Sequence, residues 1–138
     1  MLLPDTLKAV LSRYPGIRFA LLFGSHAEDR AHAMSDVDVG VMFEDEPDML
    51  ELGELNGRLE AAVGARVDTV VLNRLYATHP RLAFNIVVSH RPLVMNEEEA
   101  YREFKYRTYM HYFDIEPTLK MLDDAFRKRW KSGTCPTP

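Results

Sequence analysis

Residues 17–24, IRFALLFG, and residues 36–43, DVDVGVMF, carry the clearest strand patterns in this chain of 138 residues. The first segment is a short apolar run bounded by glycines, and because it is too brief for a buried helix it predicts an interior strand. The second alternates strictly, with three valines on one face and Asp36, Asp38 and Gly40 on the other, which predicts a half-buried strand. Residues 25–35 between them, SHAEDRAHAMS, are small and polar and predict a loop or a short helix.

Helical and strand patterns alternate along the rest of the chain. Apolar residues recur at helical spacing over about residues 5–14, 47–63, 78–88 and 97–131. Strands are predicted at 65–72, ARVDTVVL, and at 90–95, HRPLVM, where Pro92 favours an edge position. Pro47 suits the first turn of its helix, and Pro117 is expected to kink or split the last one. This order predicts a small α/β fold with a mixed sheet and helices packed mainly on one face.

Length and composition are those of one globular domain. We expect a single domain over residues 1–131, with C-terminal helices from about residue 97 and a disordered tail at 132–138. With 17 Lys and Arg against 21 Asp and Glu, the net charge is −4, which provides no general attraction for nucleic acid. The single cysteine, Cys135, excludes a disulfide framework, and no segment has the pattern of a membrane span or a signal peptide. We therefore expect a cytoplasmic protein without membrane association or a direct nucleic-acid partner.

Three carboxylates lie on strands that are otherwise apolar. Asp36 and Asp38 are two residues apart on an alternating strand, so they project from one face, roughly 6.5–7 Å apart at the backbone. Asp68 lies in the apolar 65–72 strand. Converging carboxylates repel one another and are costly to desolvate unless a cation lies among them, and Mg²⁺ prefers such oxygen ligands. Each acidic feature alone is also typical of an exposed strand face.

Gly24 and Ser25 supply a second part of the pattern. Glycine lets the backbone approach a phosphate closely, and Ser25 offers a hydroxyl and an amide at a predicted helix N-terminus. A lone Gly-Ser pair is most often a turn. Combined with the Asp pair on the next predicted strand, it indicates metal-assisted phosphoryl or nucleotidyl transfer.

The full set of motifs resembles the polymerase-β-type nucleotidyltransferase superfamily. It consists of GSHA at 24–27, the triplet DVD at 36–38 after ten residues that follow Ser25, and Asp68 in a later strand. The small size and the segments SDVDVGV at 35–41 and VDTVVLN at 67–73 are most similar to the minimal nucleotidyltransferases, the MntA-type antitoxins. The resemblance covers about residues 5–115.

The resemblance implies a polymerase-β-like fold and a role for each motif. Asp36, Asp38 and Asp68 would be the catalytic residues and would bind magnesium, with two Mg²⁺ ions expected. The residues that would bind ATP are Gly24, Ser25, Arg30 and Ser35. The implied reaction is AMPylation, the transfer of AMP from ATP to a tyrosine of a partner HEPN-family RNase toxin, with which the antitoxin would form a hetero-oligomer.

Two positions depart from the family's pattern and leave alternatives open. The family usually continues with Arg-Gly where this chain has Glu28 and Asp29, which place negative charge near the expected triphosphate. A second hypothesis is therefore a nucleotidyltransferase-fold antitoxin that neutralises its toxin by binding alone. A third, a nucleotidyltransferase acting on a small molecule, is disfavoured because such enzymes usually carry an additional helical domain and only about forty residues follow the last predicted strand.

The last predicted helix contains four tyrosines, at positions 101, 106, 109 and 112. These positions cannot all lie on one helical face. Since tyrosine is enriched at protein interfaces, we expect at least one of the four on a partner-binding surface.

Overall fold

The computed structural model describes residues 3–24 and 36–114. Its elements, in chain order, are α1 at Leu3–Ser12, β1 at Ile17–Phe23, β2 at Val37–Phe43, α2 at Met49–Val63, β3 at Val67–Val71, α3 at Leu75–Thr78, α4 at Pro80–Val88 and β4 at His90–Met95. Residues 98–114 form the described part of the last helix, α5. The predictions for residues 25–35, Pro117 and the tail at 132–138 lie outside the described residues, and the single domain over 1–131 stays a prediction.

The four strands form one mixed sheet in the order β3-β2-β1-β4. Strand β1 is antiparallel to β2 and to β4, whereas β2 and β3 are parallel. The predicted interior position of β1 and the edge position of β4, which contains Pro92, are both confirmed. Register shifts interrupt the ladders of β1 between Ile17 and Phe19 and between Ala20 and Leu21.

Helices cover both faces of the sheet, so the expectation that they pack mainly on one face is wrong. On the first face, α1 and α2 bury leucines against alternate residues of β1 and β2: Leu7, Leu11, Leu55 and Leu59 against Ala20, Leu22, Val39 and Val41. On the second face, α3, α4 and α5 pack on the other residues of β1: Leu75, Ala83, Ile86 and Phe104 against Phe19 and Leu21. We call these the α1/α2 face and the α4/α5 face. The physical reason is β1 itself, whose continuous apolar run needs cover on both sides.

Helix α2 begins at Met49, two residues later than Pro47 suggested. Asp48 is its N-cap, and the Asp48 carboxylate accepts a hydrogen bond of 2.8 Å from the Glu51 backbone N–H. A side-chain cap of this kind satisfies a backbone donor that the helix leaves free, so it fixes the start of α2. Pro47 therefore precedes the helix and is not in its first turn. Among the described residues, no helix has both the length and the apolar character needed to cross a bilayer.

We predict opposite effects on stability for alanine at two glycines. A Cβ on Gly40 of β2 would lie 2.9 Å from Cδ2 of Leu72, which is fully buried and cannot swing away. Gly40→Ala should therefore lower the free energy of unfolding by about 1–3 kcal/mol. Gly53 in α2 has nothing within 4 Å of an added Cβ, so Gly53→Ala should raise that free energy by about 0.5–1 kcal/mol. Urea denaturation followed by circular dichroism measures both, and equal shifts for the two variants would contradict the tight packing at Gly40.

Candidate functional site

Two of the predicted carboxylates lie side by side at one end of the sheet. Asp38 of β2 is the register partner of Asp68 on β3 and of Phe23 on β1. Register partners project from the same face of a sheet, with backbones roughly 4.8 Å apart. Because Phe23 packs in the core of the α4/α5 face, the carboxylates of Asp38 and Asp68 project from that face too. Asp36 is exposed and directly precedes β2, and in the described residues it does not gather with Asp38 and Asp68 into a three-carboxylate cluster.

Gly24 completes the close packing around Asp38. It follows β1 with a φ of +78°, a backbone conformation that side-chain-bearing residues rarely adopt. A Cβ at this position would overlap Oδ2 of Asp38 and lie 3.2 Å from its Cγ. The backbone therefore passes directly against the Asp38 carboxylate as it leaves β1. Position 24 requires glycine both because of its positive φ and because a side chain would overlap Asp38. Ser25, Arg30 and Ser35, the other residues expected to bind nucleotide, lie outside the described residues, as do Glu28 and Asp29.

The two carboxylates fit a magnesium ion whose remaining ligands come from a substrate. Asp38 and Asp68 present carboxylate oxygens from neighbouring positions, and oxygen is the ligand that Mg²⁺ prefers. Within residues 3–24 and 36–114, no three His, Cys, Asp or Glu side chains gather closely enough to form a metal site by themselves. Protein Mg²⁺ sites are commonly of this kind, with one or two carboxylates completed by substrate phosphates and water.

His90 and Tyr101 lie at the same end of the sheet and were not identified from the sequence. His90 is the β4 register partner of Phe23, so residues 90, 23, 38 and 68 form one row across all four strands. His90 Nδ1 lies 2.9 Å from the Ile86 carbonyl oxygen, and its Nε2 lies 2.7 Å from the Tyr101 hydroxyl. Since a carbonyl only accepts, Nδ1 carries a proton, and in the neutral ring Nε2 accepts from Tyr101. This pair fixes α5 against β4. Its position in the same row as Asp38 and Asp68 follows from the strand register and from no local sequence pattern.

An exposed aromatic cluster lies elsewhere, on α4 and α5. The ring of Phe84 stacks on Tyr112 at 3.9 Å and meets Tyr109 and Phe113 edge to face at 5.9 and 6.2 Å. Phe113 is 53% exposed and Met110 47% exposed. The four tyrosines of α5 lie in different environments, as expected: Tyr101 packs on Phe19, whereas Tyr106 is 64% exposed. Whether one of them contacts a partner stays a prediction.

Sequence comparison identifies the family. The family described as polymerase beta, nucleotidyltransferase matches residues 5–99, which span α1 to the start of the last helix. The chain therefore belongs to the polymerase-β-type nucleotidyltransferases, and the resemblance and fold class inferred from the motifs are confirmed.

Individual relatives are similar over part of the chain. A protein adenylyltransferase, MntA, from Thermococcus cleftensis is 43% identical over 60 residues, 44% of this chain and 61% of that protein, so the match spans about three fifths of the relative's length. A crystal structure of a toxin–antitoxin with AMP-PNP has a TM-score of 0.76 at 23% identity, covering 89% of this chain and 97% of that one. A Shewanella oneidensis complex of a tri-AMPylated HEPN toxin with an MNT antitoxin has a TM-score of 0.68 at 20% identity, covering 89% and 97%. At these identities the two structures establish the shared fold.

We predict that Gly24→Ala weakens magnesium–ATP binding about tenfold or more, since the added methyl group displaces the Asp38 carboxylate. Gly16→Ala is the matched control. Gly16 has the similar φ of +83°, but the nearest atom to its added Cβ is Glu44 Oε2 at 3.8 Å. Both variants should lose stability from backbone strain, by about 1–2 kcal/mol, and only the first should lose nucleotide affinity. Isothermal titration calorimetry and thermal unfolding measure the two effects, and equal affinities in the two variants would contradict the role given to Gly24.

Proposed function

We propose that this chain is a magnesium-dependent protein adenylyltransferase that acts as an antitoxin, transferring AMP from ATP to a tyrosine of a HEPN-family RNase toxin. The observation that carries the proposal is the register pairing of Asp38 with Asp68 beside Gly24, within a nucleotidyltransferase domain. The similarity to the protein adenylyltransferase from Thermococcus cleftensis supports the donor and the reaction type. The fold shared with an antitoxin solved beside a tri-AMPylated HEPN toxin supports the partner.

The proposed reaction breaks the phosphoanhydride bond between the α- and β-phosphates of ATP and forms a phosphate ester with the acceptor hydroxyl. The oxygen of the acceptor hydroxyl bonds to the α-phosphorus of ATP, and the bond from that phosphorus to the oxygen bridging the β-phosphate breaks. Pyrophosphate leaves with the bonding electron pair, and the hydroxyl proton passes to the carboxylate of Asp68 and from there to water. Asp68 suits this role because it is exposed and lies on an edge strand, where an acceptor can approach.

The other residues position the nucleotide. Gly24 and Ser25, with Arg30 and Ser35, bind the triphosphate, while Asp36, Asp38 and Asp68 would bind two Mg²⁺ ions. When bound, magnesium lowers the pKa of the acceptor hydroxyl and neutralises charge on the leaving pyrophosphate. Asp38 is half-buried between Phe23 and Asp68, so its carboxylate has little freedom to move and can orient the donor.

A protein acceptor agrees with the surface of α4 and α5. The cluster of Phe84, Tyr109, Tyr112 and Phe113 leaves aromatic area exposed to solvent. Exposed aromatic groups in contact with one another are typical of surfaces that another protein covers. We also propose a cytoplasmic location, because the single cysteine suits a reducing compartment.

A second candidate function is neutralisation of the toxin by binding alone. The feature that favours it is the pair Glu28 and Asp29, which stands where the family usually has Arg-Gly. Like charges near a triphosphate oppose its binding. Transfer and binding are separable by experiment, since only transfer requires the carboxylates of the site.

We predict that Asp38→Asn and Asp68→Asn each lower the rate of AMP transfer to the toxin at least about a hundredfold, with little change in thermal stability. Asp45→Asn is the control, because Asp45 is an exposed carboxylate in the segment between β2 and α2. It should transfer at the wild-type rate. Intact-mass spectrometry of the toxin after incubation with ATP and Mg²⁺ counts the added AMP units.

Two results would contradict the proposed transfer. One is an unmodified toxin after incubation with the wild-type protein, and the other is equal modification by wild type and Asp38→Asn. A toxin that stays unmodified but whose RNase activity is inhibited equally by wild type and Asp38→Asn would establish the binding-only function instead.

A further inference from the structure

We propose that the outer edge of β3 binds the acceptor protein by accepting one of its segments as an added, fifth strand. This inference rests on the proposed function and specifies the form of its acceptor: an extended segment that carries the hydroxyl residue. In the described part of the chain, β3 is an end of the sheet, and its neighbour on one side only is β2. An open strand edge is a known way to bind extended peptides through main-chain hydrogen bonds.

Two hydrogen bonds of the β2–β3 ladder determine which backbone groups of β3 face outward. The Val37 N–H donates to the Arg66 carbonyl, and the Leu72 N–H donates to the Val41 carbonyl, both at 2.9 Å. In a parallel ladder, alternate residues direct both N–H and C=O to the partner strand. Positions 66, 68, 70 and 72 therefore bond to β2, and the backbone groups of Thr69 and Val71 point away from it.

A separate hydrogen bond confirms this alternation. The Val67 N–H, which belongs to the outward set, donates to Oε2 of Glu60 at 3.1 Å. The start of the edge is thereby satisfied by a side chain of α2. Within residues 3–24 and 36–114, the outward groups that remain are the Val67 C=O and the N–H and C=O of Thr69 and Val71, spaced two residues apart as a docking strand requires.

The side chains of the same residues hold this edge still. The Thr69 hydroxyl donates to Oδ1 of Asn56 at 2.6 Å, and Val71 packs against the core of the α1/α2 face. Because both side chains are engaged on that face, the backbone of β3 is fixed before any partner arrives. A fixed edge loses little conformational entropy on binding, which favours association.

The two ends of the sheet differ in their capacity to pair. Strand β4, at the other end, contains Pro92, which has no N–H to donate, beside the cationic and exposed Arg91. Proline and charge are the features with which proteins prevent pairing at strand edges. Strand β3, VDTVV, contains no proline and no charged residue among its outward positions. Of the two sheet ends in the described part of the chain, the one next to Asp68 is therefore the one suited to accept a strand.

The register explains why an added strand would bring the acceptor to the site. A residue placed directly opposite Asp68 on a fifth strand projects from the same face as Asp68, roughly 4.8 Å away at the backbone. Its hydroxyl would extend over the carboxylates of Asp68 and Asp38. Its immediate neighbours would point to the opposite face, and the side chains two positions away would share its face, roughly 6.5–7 Å along the segment.

The direct test is amide hydrogen exchange of the wild-type protein, with and without a soluble nine-residue peptide, TKTVYVTKT, that carries one central tyrosine. Binding at the edge should slow exchange of the Thr69 and Val71 amides about tenfold or more. The Asp68 and Val70 amides, which already bond to β2, should change by less than about twofold. Unchanged exchange at Thr69 and Val71 with saturating peptide would overturn the inference. Slowing that depends on protein concentration without peptide would also overturn it, since β3 would then pair with a second copy.

A pair of variants tests the consequence for transfer. Thr69→Pro removes the outward N–H of residue 69 and leaves the hydrogen bonds between β3 and β2 in place. It also loses the side-chain hydrogen bond to Asn56. Asn56→Ala loses the same hydrogen bond and leaves the backbone of β3 intact. We expect the KM for the acceptor to rise about tenfold or more in Thr69→Pro, with the Kd for magnesium–ATP unchanged. In Asn56→Ala, which loses only the fixation of the Thr69 side chain, the KM should rise by about twofold or less. Equal KM values in the two variants would overturn the inference.

The two proposals fail separately. If the wild-type protein transfers no AMP to the toxin or to the peptide, the proposed function fails, and the exchange experiment still decides whether β3 accepts a strand. If AMP is transferred but the Thr69 and Val71 amides exchange as in the free protein, the function stands and the edge inference fails.

Discussion

The parallel pairing of β2 with β3 is the contact on which the site depends. It places Asp38 directly opposite Asp68, although like charges opposite each other destabilise a sheet. The register is set from the other face, where Val37 and Val39 are buried with Val67 in the core that α1 and α2 cover. A shift of one residue would expose those valines and bury the carboxylates. The hydrophobic effect thus fixes an arrangement that electrostatics alone would disfavour.

Local patterns in the sequence predicted the strands well, for an identifiable reason. Alternation in DVDVGVMF specifies which residues share a face, and the apolar run IRFALLFG requires burial on both sides. The same run should have excluded a sheet covered mainly on one face. Helical periodicity shows which face of each helix is apolar, and it does not show how many apolar strand faces need cover.

Local sequence patterns do not specify the register between neighbouring strands. The alignment of His90 with Phe23, and of Phe23 with Asp38, depends on how β4 and β2 are placed against β1. No local pattern in HRPLVM specifies that placement, and the register shifts in β1 make it still less predictable. His90 and Tyr101 were therefore not identified, although their hydrogen bond of 2.7 Å lies in the same row as the carboxylates. The close approach of Gly24 to Asp38 has the same origin, since a glycine before a polar segment has many explanations until its neighbour is known.

Both register shifts of β1 fall in its first half, between Ile17 and Leu21, whereas from Leu21 to Phe23 its pairing with β2 and β4 is regular. Extra twist and changes in strand length are accommodated where a ladder is already interrupted. The turn before β1 and the junction between β4 and α5 adjoin that irregular half. Insertions and deletions there can change the length of the loops without moving the residues opposite Asp38. We therefore expect related chains to vary more in length at this end of the sheet than at the end that holds Asp38.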